Sequence, residues 1–225
     1  MAATASPYGL RPLNLIGGQS FNGGVIREYS VATNNSAGIF NGDIVALSAA
    51  GLPASITATP VANLLLATAG NATAATPGIM GVCVGARYVL GSPIKQQMYG
   101  QYLPANSITG GYSEVFIRVM DDPDALFQIQ GNGSVGTFNS GSAGSAWRSL
   151  IGKNAPLATF TSGSTTTGNS GMVLDIGSNA GNVAATGSLA MRIVDVVPGT
   201  QFDAYPEFIV KFNVGVHSYY NSLGI

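Results

Sequence analysis

The residues best suited to chemistry in this chain of 225 residues are few: one cysteine, one histidine and one dense acidic run. Cys83 lies in "IMGVCVGARYV", among valines and isoleucine. A lone cysteine can form neither an intrachain disulfide nor a cysteine-based metal site, and its surroundings predict a buried small apolar residue. A nucleophilic thiol would need a histidine, and the sequence offers only His217. That residue falls on the polar side of an alternating run near the end of the sequence, which predicts an exposed strand histidine. A serine–histidine–aspartate triad would have to recruit the same residue, and no G-x-S-x-G elbow accompanies it.

Asp121, Asp122 and Asp124 form the acidic run "DDPD". Oxygen-rich turns can hold calcium, which takes roughly six to eight ligands. The D-x-[DN]-x-[DN]-G spacing is missing, however, and Pro123 directly after a predicted strand fits a charged hairpin or corner. A pair of carboxylates for glycoside hydrolysis would draw on the same cluster, but Trp147, the one tryptophan, is distant in sequence. "GNGSVG" at 131–136 matches a dinucleotide-loop pattern. The residues after it, "TFNSGSAGS", cannot begin a sound helix, and no acid sits about 20 residues on. No catalytic constellation survives, and neither a metal nor a cofactor is expected.

The elements that would position such groups read as strands. "EFIVKFNVGVHS" (207–218) alternates with Phe208, Val210, Phe212, Val214 and Val216 on one face. "SEVFIRVM" (113–120), "SLAMRIVDVV" (188–197) and "IMGVCVGARYVL" (79–90) are apolar on both faces, as in strands covered on both sides or packed against a neighbouring subunit. "NGD" at 41–43, "DDPD", "GNG" at 131–133 and "PGT" at 198–200 break them apart. The best helical candidates are "TPVANLLLATAGNATAA" (59–75) and one short turn in "SAWRSLIG" (145–152). The fold expected is mainly β, a small barrel or sandwich with at most a helix or two.

Charge is the compositional anomaly. Asp, Glu, Lys and Arg make up 8% of the chain, where about 25% is usual, so the surface must be carried by hydroxyls and amides. That suits an extracellular β protein, or a subunit of a large assembly whose interfaces would have to desolvate charge. The net charge is −1 and the basic residues are scattered along the sequence, so direct nucleic-acid binding is not expected. Residues 131–188 shift to Gly, Ser, Thr and Asn. Trp147, Leu150, Ile151, Leu157 and Phe160 interrupt that stretch, which favours a loop-rich ordered insertion over a free linker.

Residues 1–28 read as an extended arm ahead of a β domain at 29–225. "SPYGLRPLNLIGGQSFNGG" (6–24) is apolar yet broken by Pro7, Pro12 and paired glycines. Its apolar run is too short for a secretory signal or a membrane span, and two prolines and a Gly-Gly pair disfavour a helix. The arm's side chains must be buried against something else.

This opening, with "REYSVA", "IFNGDIVAL" and "GIMGVCVGARYV" in order after it, resembles structural proteins of tailed bacteriophages, especially those of cyanobacteria and their neighbours. Members look like capsid decoration (cement) proteins. The resemblance is clearest over residues 6–47, looser over 78–130, and rests on the ordered set of motifs rather than on any one. It implies a non-enzymatic virion protein on the outer surface of the capsid, whose partner is the major capsid protein. By analogy it also implies a homotrimer and a small barrel like that of lambda-type decoration proteins. No nucleic acid or membrane partner is implied. The arm then reads as a strap, with Tyr8, Leu10, Arg11, Leu13, Leu15, Ile16 and Phe21 as its contact residues. The competing readings are an arm that covers the chain's own domain, and a head or tail fibre component that binds host glycans.

Overall fold

A computed structural model describes residues 5–17, 26–31, 37–47, 53–55, 79–91, 93–133, 147–159, 161–177, 182–187, 189–213 and 215–220. The protein is mainly β. In chain order the strands are β1 (Arg11–Leu15), β2 (Ile26–Ser30), β3 (Ile44–Leu47), β4 (Pro53–Ser55), β5 (Ile79–Val89), β6 (Gln97–Gly100) and β7 (Ser113–Met120). They continue with β8 (Ala125–Gln130), β9 (Asn154–Ala155), β10 (Leu157–Thr159), β11 (Met172–Leu174), β12 (Met191–Val196) and β13 (Glu207–Phe212). One sheet runs β1-β8-β13-β12-β9, a second β2-β7-β5-β3-β4 with β6 also on β5, and β10 pairs with β11. These named strands pair antiparallel throughout.

Side-chain alternation explains the layering. On β13, Phe208, Val210 and Phe212 are buried while Glu207, Ile209 and Lys211 are half-exposed. Phe127 of β8 meets Phe212 edge to face, with ring centroids 5.3 Å apart. They belong to the larger core, which also takes Leu10, Ile44, Val82, Met120, Ile193 and Leu157. A second core lies on the other face of the β2–β7–β5–β3 sheet and takes Val45, Cys83, Ile117 and Val119. Neighbours in sequence therefore point into different cores: Ile44 and Val45 on β3, Val82 and Cys83 on β5, Val119 and Met120 on β7. This is why these strands are apolar on both faces within a single chain. Gly81 is required there, because a Cβ on it would lie 2.2 Å from the Met120 carbonyl oxygen.

The acidic run is the corner by which the chain passes from one large sheet to the other. β7 ends at Met120, Ala125 N–H donates to Asp122 O at 3.2 Å, and Asp124 N–H donates to the Asp122 carboxylate at 2.8 Å. Pro123 occupies the position a β-turn favours for it. The stretch "SAWRSLIG" supplies one 3-10 turn at Trp147–Leu150, and 59–75 lies outside the described residues. From the Gly/Ser/Thr-rich region, Leu150, Leu157, Met172, Leu174 and Ile176 enter the larger core. Phe160 lies outside the described residues. Among the described residues no helix is long and apolar enough to cross a membrane.

One expectation is corrected. His217 is not an exposed strand histidine: it is fully buried, and β13 stops at Phe212. Asn213 turns the chain away, its side-chain amide donating to the carbonyls of Gly187 (3.0 Å) and Leu189 (3.1 Å). The segment at 215–220 lies instead alongside the start of β5 in a parallel bridge of His217 with Ile79, where Ile79 N–H donates to Val216 O and Ser218 N–H to Ile79 O.

Candidate contact surface

The described part of the arm is docked on its own chain at one end and turned outward at the other. Ser6 N–H donates to Gln130 Oε1 at 2.9 Å. Tyr8 is buried, with the Arg11 guanidinium 3.9 Å above its ring. Burial, reinforced by the Glu207 carboxylate, pushes the Tyr8 phenol well above its ordinary range. Gly9 has φ of +75°, and a Cβ there would lie 2.6 Å from Ser170 Cβ and 2.7 Å from the Gly42 carbonyl oxygen. The "YGL" of the arm and the "NGD" turn thus approach backbone to backbone, and Leu10 N–H donates to Gly42 O at 3.0 Å. Leu10 enters the core fully buried. A polar cavity of about 270 Å³ beside this junction is lined by Ser6, Tyr8, Arg11, Thr161, Ser164 and Asn169 among others.

From Arg11 the arm becomes β1, an edge strand on β8. Pro12, which has no N–H to give, is tolerated there because an edge strand has one unpaired side. Leu15 packs partly against the core, whereas Leu13 is 38% and Ile16 50% exposed. Phe21 lies outside the described residues. The arm residues therefore divide: Tyr8 and Leu10 inward, Leu15 between, Leu13 and Ile16 outward, with Arg11 exposed but stacked.

Ile16 forms one wall of a groove of about 320 Å³, lined also by Ile151, Gly152, Arg192, Val194 and Lys211. Ile151 is 39% exposed. Basic residues scattered in sequence meet here, since antiparallel register sets Arg192 of β12 opposite Lys211 of β13. Lys211 is paired with Asp124 at 3.1 Å. None of these groove residues other than Ile16 was among the arm contacts expected from sequence. The signal for them was a single arginine set in the apolar run "SLAMRIVDVV".

The residues considered for chemistry are all committed elsewhere. Cys83 is enclosed in the second core, and burial pushes its thiol up to about 12. Asp121 is buried, and its Oδ2 accepts from Arg27 Nη1 (2.9 Å), Tyr29 Oη (2.6 Å) and Tyr219 Oη (2.6 Å). This carboxylate ties edge strand β2 to the segment at 215–220. Among the described residues no group of three or more His, Cys, Asp and Glu could hold a metal ion.

His217 sits between the rings of Phe212 and Tyr219, each with its centroid 5.2 Å away, and its Nδ1 accepts from Tyr219 N–H at 3.2 Å. The proton of the neutral ring is therefore on Nε2. Burial lowers its pKa, while the Met80 carbonyl and Asp121, Asp122 and Asp124 act in the opposite direction. A histidine held neutral in the fold binds its proton more readily when unfolded, so its contribution is complete above about pH 6.5 and declines as pH falls below that. Asp43 has the opposite sign. Burial raises its carboxyl from 3.8 to about 6, so its contribution is complete below about pH 4 and lost as pH rises through 6. His217→Gln isolates the first effect. Urea denaturation from pH 7.5 to 5 is expected to show the wild type losing more stability on acidification than the variant. The difference should be at most about 1.4 kcal/mol per pH unit, and parallel curves would contradict the assignment.

Compared with known proteins, the chain matches no family model, no curated protein and no solved structure.

Proposed function

We propose that this chain is a non-enzymatic structural protein of a phage virion. It binds the outside of the assembled icosahedral capsid and cements neighbouring major capsid subunits against internal DNA pressure. The observation that carries the reading is the divided arm. In the stretch bearing the clearest resemblance to decoration proteins, Tyr8 and Leu10 anchor the chain to its own core, while Leu13 on edge strand β1 and Ile16 just after it present apolar surface. Such residues gain by burial against a neighbour. Sparse charge supports the same reading, because several interfaces can then form with little desolvation of ions.

Cement works by mass action: a subunit that binds only the assembled shell stabilises that shell by its binding free energy. A homotrimer around local three-fold positions is the assembly that fits, with closed symmetry repeating the outward arm at each contact. The reading is tested by binding of purified protein to expanded shells stripped of their outer proteins, read by co-sedimentation and by the temperature at which shells burst.

A further inference from the structure

The groove beside the arm carries a cation that the fold holds ready for something outside it. Arg192 faces out of β12 and is exposed. Its Nε donates to Asn154 Oδ1 at 3.1 Å and its Nη2 to Asn213 Oδ1 at 3.5 Å. Both asparagines are buried. Their amide nitrogens are committed elsewhere, Asn154 to the Thr186 carbonyl at 2.8 Å and Asn213 to those of Gly187 and Leu189. A guanidinium only donates, so each asparagine meets it through its oxygen, and the amide nitrogens' own bonds hold those oxygens in place. One buried amide oxygen holds the exposed arginine at 3.1 Å and a second lies beside it at 3.5 Å, leaving its remaining N–H groups unused by these contacts.

The charge around it is not balanced within the groove. Among the described residues, the ion pairs are Arg27–Asp121, Arg87–Glu28, Arg87–Glu114 and Lys211–Asp124. Lys211, directly across the ladder, thus has its carboxylate, and Arg192 is held only by neutral amides. The walls are Ile16, Ile151 and Val194. An uncompensated, oriented guanidinium over an apolar floor is complementary to a carboxylate carried on an apolar segment. The volume, near the lower end of the roughly 300–1,000 Å³ of small-ligand pockets, takes a side chain or two.

We propose that this groove receives an acidic, apolar peptide segment of a protein partner, with Arg192 binding its carboxylate and Ile16, Ile151 and Val194 its apolar side chains. The proposal rests on the reading that this face meets a partner protein, and it is tested on the isolated chain so that the two can fail separately. The probes are a capped hexapeptide alternating leucine and glutamate, the same peptide with glutamine for glutamate, and hexanoate, each titrated into ¹⁵N-labelled protein. The expected result is saturable binding of the glutamate peptide that moves the Gly152 amide, with the glutamine peptide at least about tenfold weaker. Arg192→Gln should abolish that preference, and Arg192→Lys, which keeps the charge but loses the planar fork, should retain part of it. Equal affinity for the two peptides would overturn the proposal. So would a preference that survives in Arg192→Gln or is undiminished in Arg192→Lys, absence of binding, or hexanoate binding as tightly as the peptide. Failure here with shell binding intact would remove the groove's role alone.

Discussion

Replacing Leu10 with alanine is expected to cost about 3 kcal/mol of folding stability. The side chain is fully buried and packs in the larger core with Ile44, Val82 and Met120. The residue nevertheless belongs to a stretch whose prolines and glycines make it read as a detachable arm. Denaturant unfolding of Leu10→Ala measures the effect, which is a large part of the roughly 5–15 kcal/mol that holds a domain together. An unchanged midpoint would mean that the arm does not contribute to the core. The same geometry predicts that removing residues 1–24 does more than delete a contact. It takes away Leu10, the Gly9–Gly42 junction and the edge strand on β8. Loss of shell binding in that truncation could not be assigned to the arm's outward face.

The outward face is tested by the pair Leu13→Asp and Ile16→Asp together. Both side chains are exposed enough for the fold to tolerate the change, so the thermal midpoint should stay close to that of the wild type. Shell binding should weaken by at least about thirtyfold, because about 2 kcal/mol of apolar burial is lost even when each side chain counts for only part of its area. Placing carboxylates in an apolar interface adds to that loss. Wild-type binding by this variant would remove the arm from the contact. A collapsed midpoint would show instead that Leu13 or Ile16 is needed for folding.

The contrast between Leu10 and Leu13 shows what could and could not be read from sequence. Strand identity was legible wherever alternation is local. "SEVFIRVM" is β7 from Ser113 to Met120, and Phe208, Val210 and Phe212 point inward as the pattern of 207–212 requires. The two apolar faces of "IMGVCVGARYV" were legible too, though the covering of both within one chain depends on how the sheets stack. The alternation misled beyond Phe212, because nothing local announces that Asn213 will bond to carbonyls at 187 and 189 and end the strand. His217 consequently lies buried in the segment that pairs with the start of β5 rather than on a solvent face.

The division of the arm was hidden for a similar reason. Which of its apolar residues turn inward is decided by the approach of Gly9 to Gly42, a contact between two turns distant in sequence. In "SLAMRIVDVV" the arginine stands out, but the amides that orient it come from residues 38 and 21 positions away. Tertiary geometry of this kind leaves no periodicity to read.

Binding to an assembled shell from outside is the central claim, and the most direct measurement is co-sedimentation of the purified wild-type protein with expanded capsids stripped of their outer proteins. Saturable binding at micromolar protein is predicted, together with a rise in the temperature at which the shells burst. No binding at that concentration, or binding that leaves the burst temperature unchanged, would contradict the claim, and host glycans would become the next ligands to try.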